Sequence, residues 1–377
     1  MPTYAVEALD TVTIAPGSPL DGMDLMSPFV WQEQGRYRML VRGVPDPLGP
    51  HDPTGLIASG WSDDGLHFTL DPQLAIAPGT DPHDADAGGC EDPTVLVADD
   101  GSYVVYYTGV DAARTQGVLI AASGPSLDTL VKRRVALAAP AGEGNIKEAT
   151  FAQTPAGDWR LFYEYAAAEE RGIGASRVGI ARAATLGDAW TSLADPFPIR
   201  AESWDNWHLS TGPVCQLPGA DPVMFYNGAT LDARWRIGWI SFSPDFACVT
   251  GRGLEPVILP PPPEDRAKTD IAFAASTVID LPACKPSLEG GCRAPRRVIT
   301  TLSLERSSPE EMASNVSSSV IILVREAGGR ARLAWEENSV SPLAASRTIS
   351  DTGAASAGAA TTPSASIQHS RRALNHS

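Results

Sequence analysis

Positive charge is scarce in this sequence. Lysine and arginine number 29 against 45 aspartates and glutamates, a formal net charge of −16. Proteins that grip nucleic acid or an anionic membrane surface neutralise phosphates with a basic surplus, and none exists here, so neither partner is expected. Cysteine is sparse too. Cys90, Cys215, Cys248, Cys284 and Cys292 are an odd number with no CxxC pair, which leaves no zinc ribbon or dithiol centre. They read as reduced thiols in a cytoplasm, with a Cys284–Cys292 disulfide left open by the spacing. No stretch approaches the roughly 20 apolar residues of a membrane helix. Residues 1–17 mix Glu7, Asp10 and Pro16 into apolar positions and lack the basic start and apolar core of a signal peptide, so a cytoplasmic location is expected. Stretches of helical period are few. Even so, 377 residues at 43% hydrophobic are too many and too apolar for global disorder.

What is abundant is punctuation. The 34 glycines and 32 prolines make turns and interrupt helices. Between them a cassette recurs: a short apolar strand, a polar turn with Gly or Asp, and a more aromatic strand. Copies occupy residues 27–43, 92–109, 147–165 and 211–228, and a stretched fifth pairs 270–280 with 297–304 around a Pro- and Cys-containing insertion. Third strands follow at 55–61, 117–123, 177–182 and 235–241, with turns and short fourth strands at 62–68, 186–190 and 243–246. Intervals of roughly 55 to 75 residues exceed sandwich spacing and suggest one blade per cassette. The expected fold is all-β, a five-bladed β-propeller of four-stranded blades around a central channel, spanning residues 1–341. Residues 342–377, mostly Ala, Ser, Thr and Gly without an apolar face, read as a low-complexity, disordered tail.

Residues at the starts of the first strands converge on the axial mouth of such a fold. The repeat puts Ser27 and Arg42 there from the first blade, Glu91 and Asp92 from the second, and Lys147 and Glu148 from the third. His208 and Thr211 follow from the fourth and Asp270 from the fifth. Paired carboxyls at such a place suit glycoside cleavage, which needs one acid for the leaving oxygen and a second group for the nucleophile. The competing reading is that Glu91 and Asp92 cap turns before the strand. Trp204-Asp-Asn-Trp207 precedes a mouth strand, and Trp207 is the better candidate for stacking on a sugar face, against a plain packing role. His51, His67 and His83 lie near aspartates without a recognised ligand spacing, and no metal is expected.

The ordered set Gly89-Cys90-Glu91-Asp92-Pro93, Gly-Asn-Ile-Lys-Glu at 144–148, Ser210-Thr211-Gly212-Pro213, Phe225-Tyr226-Asn227-Gly228 and Glu-Pro-Val-Ile-Leu-Pro at 255–260 resembles glycoside hydrolase family 130. That family holds five-bladed propellers acting on β-mannosides as inverting phosphorylases or as hydrolases. The resemblance covers about residues 21–305, and it implies Asp92 as general acid, acting directly or by relay through a sugar hydroxyl. It implies Arg42 and Asp270 as holders of the sugar at the cleaved position, Tyr107 as a pocket wall, and Glu91, Lys147, Tyr226 and Asn227 as further substrate contacts.

Departures from the family pattern are informative. Thr94 stands where the family has Arg, Ile146-Lys147-Glu148 where it has Asn-Lys-Asp, and Tyr226-Asn227-Gly228 where it has Tyr-His-Gly. The phosphorylases hold phosphate with a His-Arg pair and a Lys; the matching positions here are Tyr163-Glu164 and His208. A carboxylate repels phosphate and supplies the base an inverting hydrolase requires. Glu164 is therefore the candidate base, with Glu148 its rival and a solvated strand-end acid the bland alternative. His208 reads either as a pocket residue or as a packing residue beside Trp204 and Trp207. The expected activity is an inverting hydrolase on a short β-mannoside, with no cofactor, a small oligosaccharide as partner and homo-oligomerisation left open. The alternatives are a phosphorylase with inorganic phosphate as co-substrate and a non-catalytic sugar-binding propeller.

Overall fold

The computed structural model describes residues 4–98, 100–139, 144–170, 173–217, 219–260, 273–280, 297–304 and 318–326. All of them lie in one compact unit, Met1–Arg332. Asp270, the Cys284 and Cys292 pair and the expected tail lie outside the described residues. Every regular element among those described is a strand, and no helix there is long and apolar enough to cross a membrane.

The strands fall into antiparallel groups in which order along the chain is order across the sheet. The first is β2 (Met23–Glu33), β3 (Arg36–Pro45), β4 (Leu56–Ser62) and β5 (His67–Ile76); the second is β6 (Gly89–Val97), β7 (Tyr103–Val110), β8 (Gly117–Gly124) and β9 (Val131–Leu137). The third is β10 (Ile146–Gln153), β11 (Trp159–Glu170), β12 (Ile173–Ala183) and β13 (Thr191–Ser192). In the fourth, breaks divide the strands between two sheets. One is β14 (His208–Ser210), β17 (Asn227–Ala229) and β18 (Arg236–Ile237); the other is β15 (Val214–Cys215), β16 (Val223–Met224), β19 (Ile240–Phe242) and β20 (Val249–Arg252).

The last group supplies only three strands of its own, β21 (Phe273–Asp280), β22 (Arg297–Leu304) and β23 (Ser318–Glu326). Its fourth is β1 (Tyr4–Ile14), which pairs antiparallel with β23 from Tyr4 opposite Glu326 to Val12 opposite Ser319. Residues 4–12 thus pair with a strand encoded some 300 positions later in the chain, while Thr13 and Ile14 pair parallel with His67 and Phe68 of β5, so that β1 joins the first and last groups into one eight-stranded sheet. The first strands also touch in cyclic order: β2 contacts β21 and β6, β10 contacts β6 and β15, and β15 contacts β21.

Local chemistry explains the elements. Gln34 and Gly35, both left-handed, make the two-residue hairpin between β2 and β3. The β7 sequence YVVYYTGV is buried along nearly its whole length because packed layers cover both faces. On the outer edge, β9 exposes Lys132 and Arg133, charges that discourage edge pairing. Of the turns and short fourth strands expected at 62–68, 186–190 and 243–246, the first already holds the start of its outer strand, at His67, while the other two are turns or irregular and their outer strands start after them, at Thr191 and Val249. The first and third turns are each closed by a hydroxyl reaching an aspartate two residues on, Ser62 to Asp64 at 2.8 Å and Ser243 to Asp245 at 2.6 Å. The same device recurs at Ser126 and Asp128. Cys90, Cys215 and Cys248 are free thiols.

Candidate active site

The β2/β3, β6/β7 and β10/β11 ladders each slip at one point, between Met26 and Phe29, Glu91 and Thr94, and Lys147 and Thr150. At each slip sits a left-handed residue that is not glycine: Ser27 (φ 49°), Asp92 (φ 50°) and Glu148 (φ 55°). Such backbone costs about 1 kcal/mol or more apiece and persists where the surroundings fix it, commonly at functional sites. The three strained residues occupy one repeat position, and beside each on the second strand lies the partner of the residue before it: Arg42 opposite Met26, Thr108 opposite Glu91, Glu164 opposite Lys147.

These positions build one cluster. Arg42 reaches Glu91 at 2.9 Å and Asp92 at 3.5 Å, and its guanidinium also donates to the Thr54 carbonyl at 2.7 Å. Gly55 leaves room for that arginine, since a Cβ there would lie 2.8 Å from Arg42 Nε. Ser27 donates to Asp92 Oδ1 at 2.7 Å, and Lys147 reaches Glu91 Oε2 at 3.3 Å. The Glu91 and Asp92 side chains are 6% and 5% exposed, so these are desolvated charges that need their partners. Burial alone would raise the Glu91 pKa, but Arg42 and Lys147 outweigh it and hold the group below its ordinary value. Burial would likewise pull Lys147 down, yet the charges of Glu91, Asp92 and Glu164 raise it, so it stays a cation.

Glu164 behaves differently. Burial pushes its pKa up, and the Ser210 and Ser176 hydroxyls and the Lys147 charge only partly oppose this, while Asp92 adds to the rise. Three carboxyls, Glu91, Asp92 and Glu164, share two cations, Arg42 and Lys147, and Glu164 is the one pushed toward its protonated form. His208, across from Glu164, has its pKa lowered by burial and by the Arg177 charge, which keeps the ring neutral. Its Nδ1 lies 3.2 Å from Ser176 Oγ.

Other expected site residues lie elsewhere. Tyr107 and Tyr226 are fully buried, with hydroxyls 2.7 Å from Asp86 and Asp205, and Asn227 is fully buried with its amide donating to the Thr211 carbonyl. All three are 0% exposed, because packed layers close over both faces of the second strand there. Glu148 is half-buried, and its carbonyl accepts from Thr211 Oγ1 at 2.6 Å. Trp207 is half-buried and pinned, its Nε1 donating to the Gly174 carbonyl at 2.9 Å. Thr94, in place of the family arginine, donates to the Ala149 carbonyl at 2.7 Å and ties β6 to β10. Ser176 was missed in the sequence. It is two places along β12 from Val178, the cross-strand partner of Glu164, so a register drawn for that hairpin would have put both on one face. Among the described residues no group of three or more His, Cys, Asp or Glu could hold a metal ion.

No protein-family model matches the sequence, and no curated protein matches it significantly. Solved structures do match. β-1,2-Mannobiose phosphorylase from Listeria innocua, in complex with β-1,2-mannobiose, is 16% identical, with a TM-score of 0.57 over 85% of this chain and 91% of that one. A protein of the family 130 mannoside phosphorylases, a family that contains glycoside hydrolases targeting β-1,2 mannosidic linkages in Candida mannan, is 18% identical, with a TM-score of 0.59 over 86% and 95%. A glycosyl hydrolase from Bacteroides ovatus is 20% identical, with a TM-score of 0.58 over 80% and 84%. The chain therefore has the fold of glycoside hydrolase family 130 proteins.

Proposed function

We infer that this protein is an inverting glycoside hydrolase acting on a short β-mannoside, with the antiparallel groups as the five blades of a propeller and the cluster at its axial mouth. Support comes from the cyclic contacts of the first strands and from the mannoside-active proteins that share the fold. In this reading Asp92 delivers a proton to the leaving oxygen, directly or through a sugar hydroxyl. Glu164 takes a proton from water as that water attacks the anomeric carbon from the opposite face, so the glycosidic C–O bond breaks and a C–OH of inverted configuration forms. Arg42, held by Glu91 and the Thr54 carbonyl, orients Asp92. A raised Glu164 pKa makes it a stronger base close to neutral pH.

The single observation that favours hydrolysis over phosphorolysis is the pair Glu164 and His208. At the places where the family resemblance leads one to expect phosphate-holding cations stand a carboxyl and a ring kept neutral by burial and Arg177. Glu164 is preferred to Glu148 as base because it shares its field with Lys147 and Asp92.

Incubating the protein with β-1,2-mannobiose, with and without inorganic phosphate, tests this. Mannose is expected in both, released with inverted anomeric configuration by NMR, and Glu164→Gln or Asp92→Asn is expected to lower kcat by about 10²-fold or more. Mannose 1-phosphate formed only with phosphate would assign a phosphorylase instead. Sugar binding without any cleavage would leave a binding module.

A further inference from the structure

Two of the three left-handed mouth residues stand directly before a proline, in Ser27-Pro28 and Asp92-Pro93. Proline has no N–H to give the ladder, and the slips between Met26 and Phe29 and between Glu91 and Thr94 pass over these dipeptides. The two residues so displaced meet each other. Ser27 Oγ donates to Asp92 Oδ1 at 2.7 Å, from the first strand group to the second.

Another donor to Asp92 arrives at the same oxygen. Arg42 Nη1 lies 3.5 Å from Oδ1, while Arg42 Nη2 lies 2.9 Å from Glu91 Oε1. The guanidinium is thus held closer to Glu91, and the nearer partner of Asp92 is a neutral hydroxyl. That distinction suits an acid. A guanidinium in close contact favours the ionised carboxylate, whereas a serine orients the group without adding a charge. With two donors on Oδ1, the proton of the neutral carboxyl belongs on Oδ2, because the oxygen that accepts hydrogen bonds serves best as the carbonyl member of the pair.

We propose that Ser27 is a positioning residue for the acid: its hydroxyl fixes Asp92 Oδ1 as the acceptor and so presents the Oδ2 proton to the glycoside. The role of Asp92 as acid rests on the reading above; the Ser27–Asp92 hydrogen bond does not. As the glycosidic C–O bond breaks, its electron pair stays on the leaving oxygen, which takes the Oδ2 proton directly or by relay through a sugar hydroxyl. The O–H pair stays on Asp92, which becomes a carboxylate, and the proton of the attacking water goes to Glu164. Ser27 and Arg42 already lie on Oδ1, so they bind that charge more strongly as it develops and need not move to do so.

The test varies the leaving group. β-1,2-Mannobiose expels a sugar oxygen that must be protonated, whereas 2,4-dinitrophenyl β-mannoside expels a stable phenolate that needs no acid. Ser27→Gly removes the hydroxyl and accepts the left-handed backbone, so the fold is kept. On mannobiose its kcat is expected to fall by about 10- to 100-fold, the scale of one hydrogen bond to a charged group, with KM changed by about threefold at most. On the aryl mannoside the loss is expected to shrink to about threefold. Ser27→Asn tolerates the same backbone and carries an amide donor, and it is expected to recover most of the mannobiose rate. Equal losses on the two substrates, a rise in KM in place of the fall in kcat, or equal rates for Ser27→Asn and Ser27→Gly overturns the proposal. Where only mannobiose is cleaved, the split between kcat and KM and the Ser27→Asn rescue decide. Asp92→Asn is expected to show the same dependence on leaving group more steeply. If it loses equally on both substrates, or the wild-type protein cleaves neither, the acid reading of Asp92 falls and the proposal with it. If Asp92→Asn depends on the leaving group and Ser27→Gly does not, the positioning role alone falls.

Discussion

The second and fourth strand groups solve the same problem with different materials. In both, a buried aspartate three residues before the group's first strand accepts a hydrogen bond at 2.7 Å from a tyrosine 21 positions later, Tyr107 to Asp86 and Tyr226 to Asp205. In both, the glycine two residues after that tyrosine makes room for the aspartate: a Cβ on Gly109 would stand 2.9 Å from Asp86 Cβ, and one on Gly228 would stand 2.8 Å from Asp205 Cβ. The cations differ. Asp86 has one, Lys132 at 2.6 Å, whose side chain is 38% exposed. Asp205 has two arginines, Arg200 at 2.9 Å and Arg252, and Arg252 also lies over the rings of Phe197 and Tyr226. The fourth group, whose strands are broken at 211–213, carries the heavier anchor; the second, whose β6 runs unbroken through Asp92, carries the lighter one. A Tyr-x-Gly motif in this chain therefore seats the loop ahead of the first strand, the tyrosine holding the aspartate and the glycine making room for it.

Removing the two aspartates should separate the anchors most. Asp205→Ala strands two guanidiniums in a desolvated place and is expected to cost about 3–5 kcal/mol in urea unfolding. Asp86→Ala is expected to cost less, about 2 kcal/mol, because the Lys132 ammonium can turn to water. Equal losses would show that cation exposure is irrelevant. Next come the glycines. Gly109→Ala and Gly228→Ala force a methyl against an aspartate and are each expected to lose about 1–3 kcal/mol. The hydroxyls follow: Tyr107→Phe and Tyr226→Phe should lose about 1–2 kcal/mol with the KM for mannobiose unchanged. A large KM change in a stable Tyr107→Phe protein would return that residue to the pocket wall.

The all-β fold and the recurring cassette were legible because turn residues and strand pairs are local in the chain. Arg42, Glu91, Asp92 and Lys147 could be named from repeat position and Glu164 only through the family resemblance, and these are the residues the structure draws into one cluster. Three things were hidden, all of them non-local. The burial of Tyr107 and Tyr226 depends on neighbouring sheets closing over them, and a polar-tipped aromatic looks alike in a pocket and in a core. Ser176 meets Glu164 only through the β11–β12 register. The membership of residues 4–12 in the last group is set by a partner strand at the far end of the described chain, which no sequence window spans.

That last pairing governs the timing of synthesis. Among the described strands β1 leaves the ribosome first, and its partner, beginning at Ser318, leaves last. At about 5–20 residues per second the Tyr4–Val12 part of β1 waits on the order of 15–60 s for its antiparallel partner, with only Thr13 and Ile14 paired early, to β5. For that interval the nascent chain carries a strand edge without its partner, the kind of surface a chaperone shields.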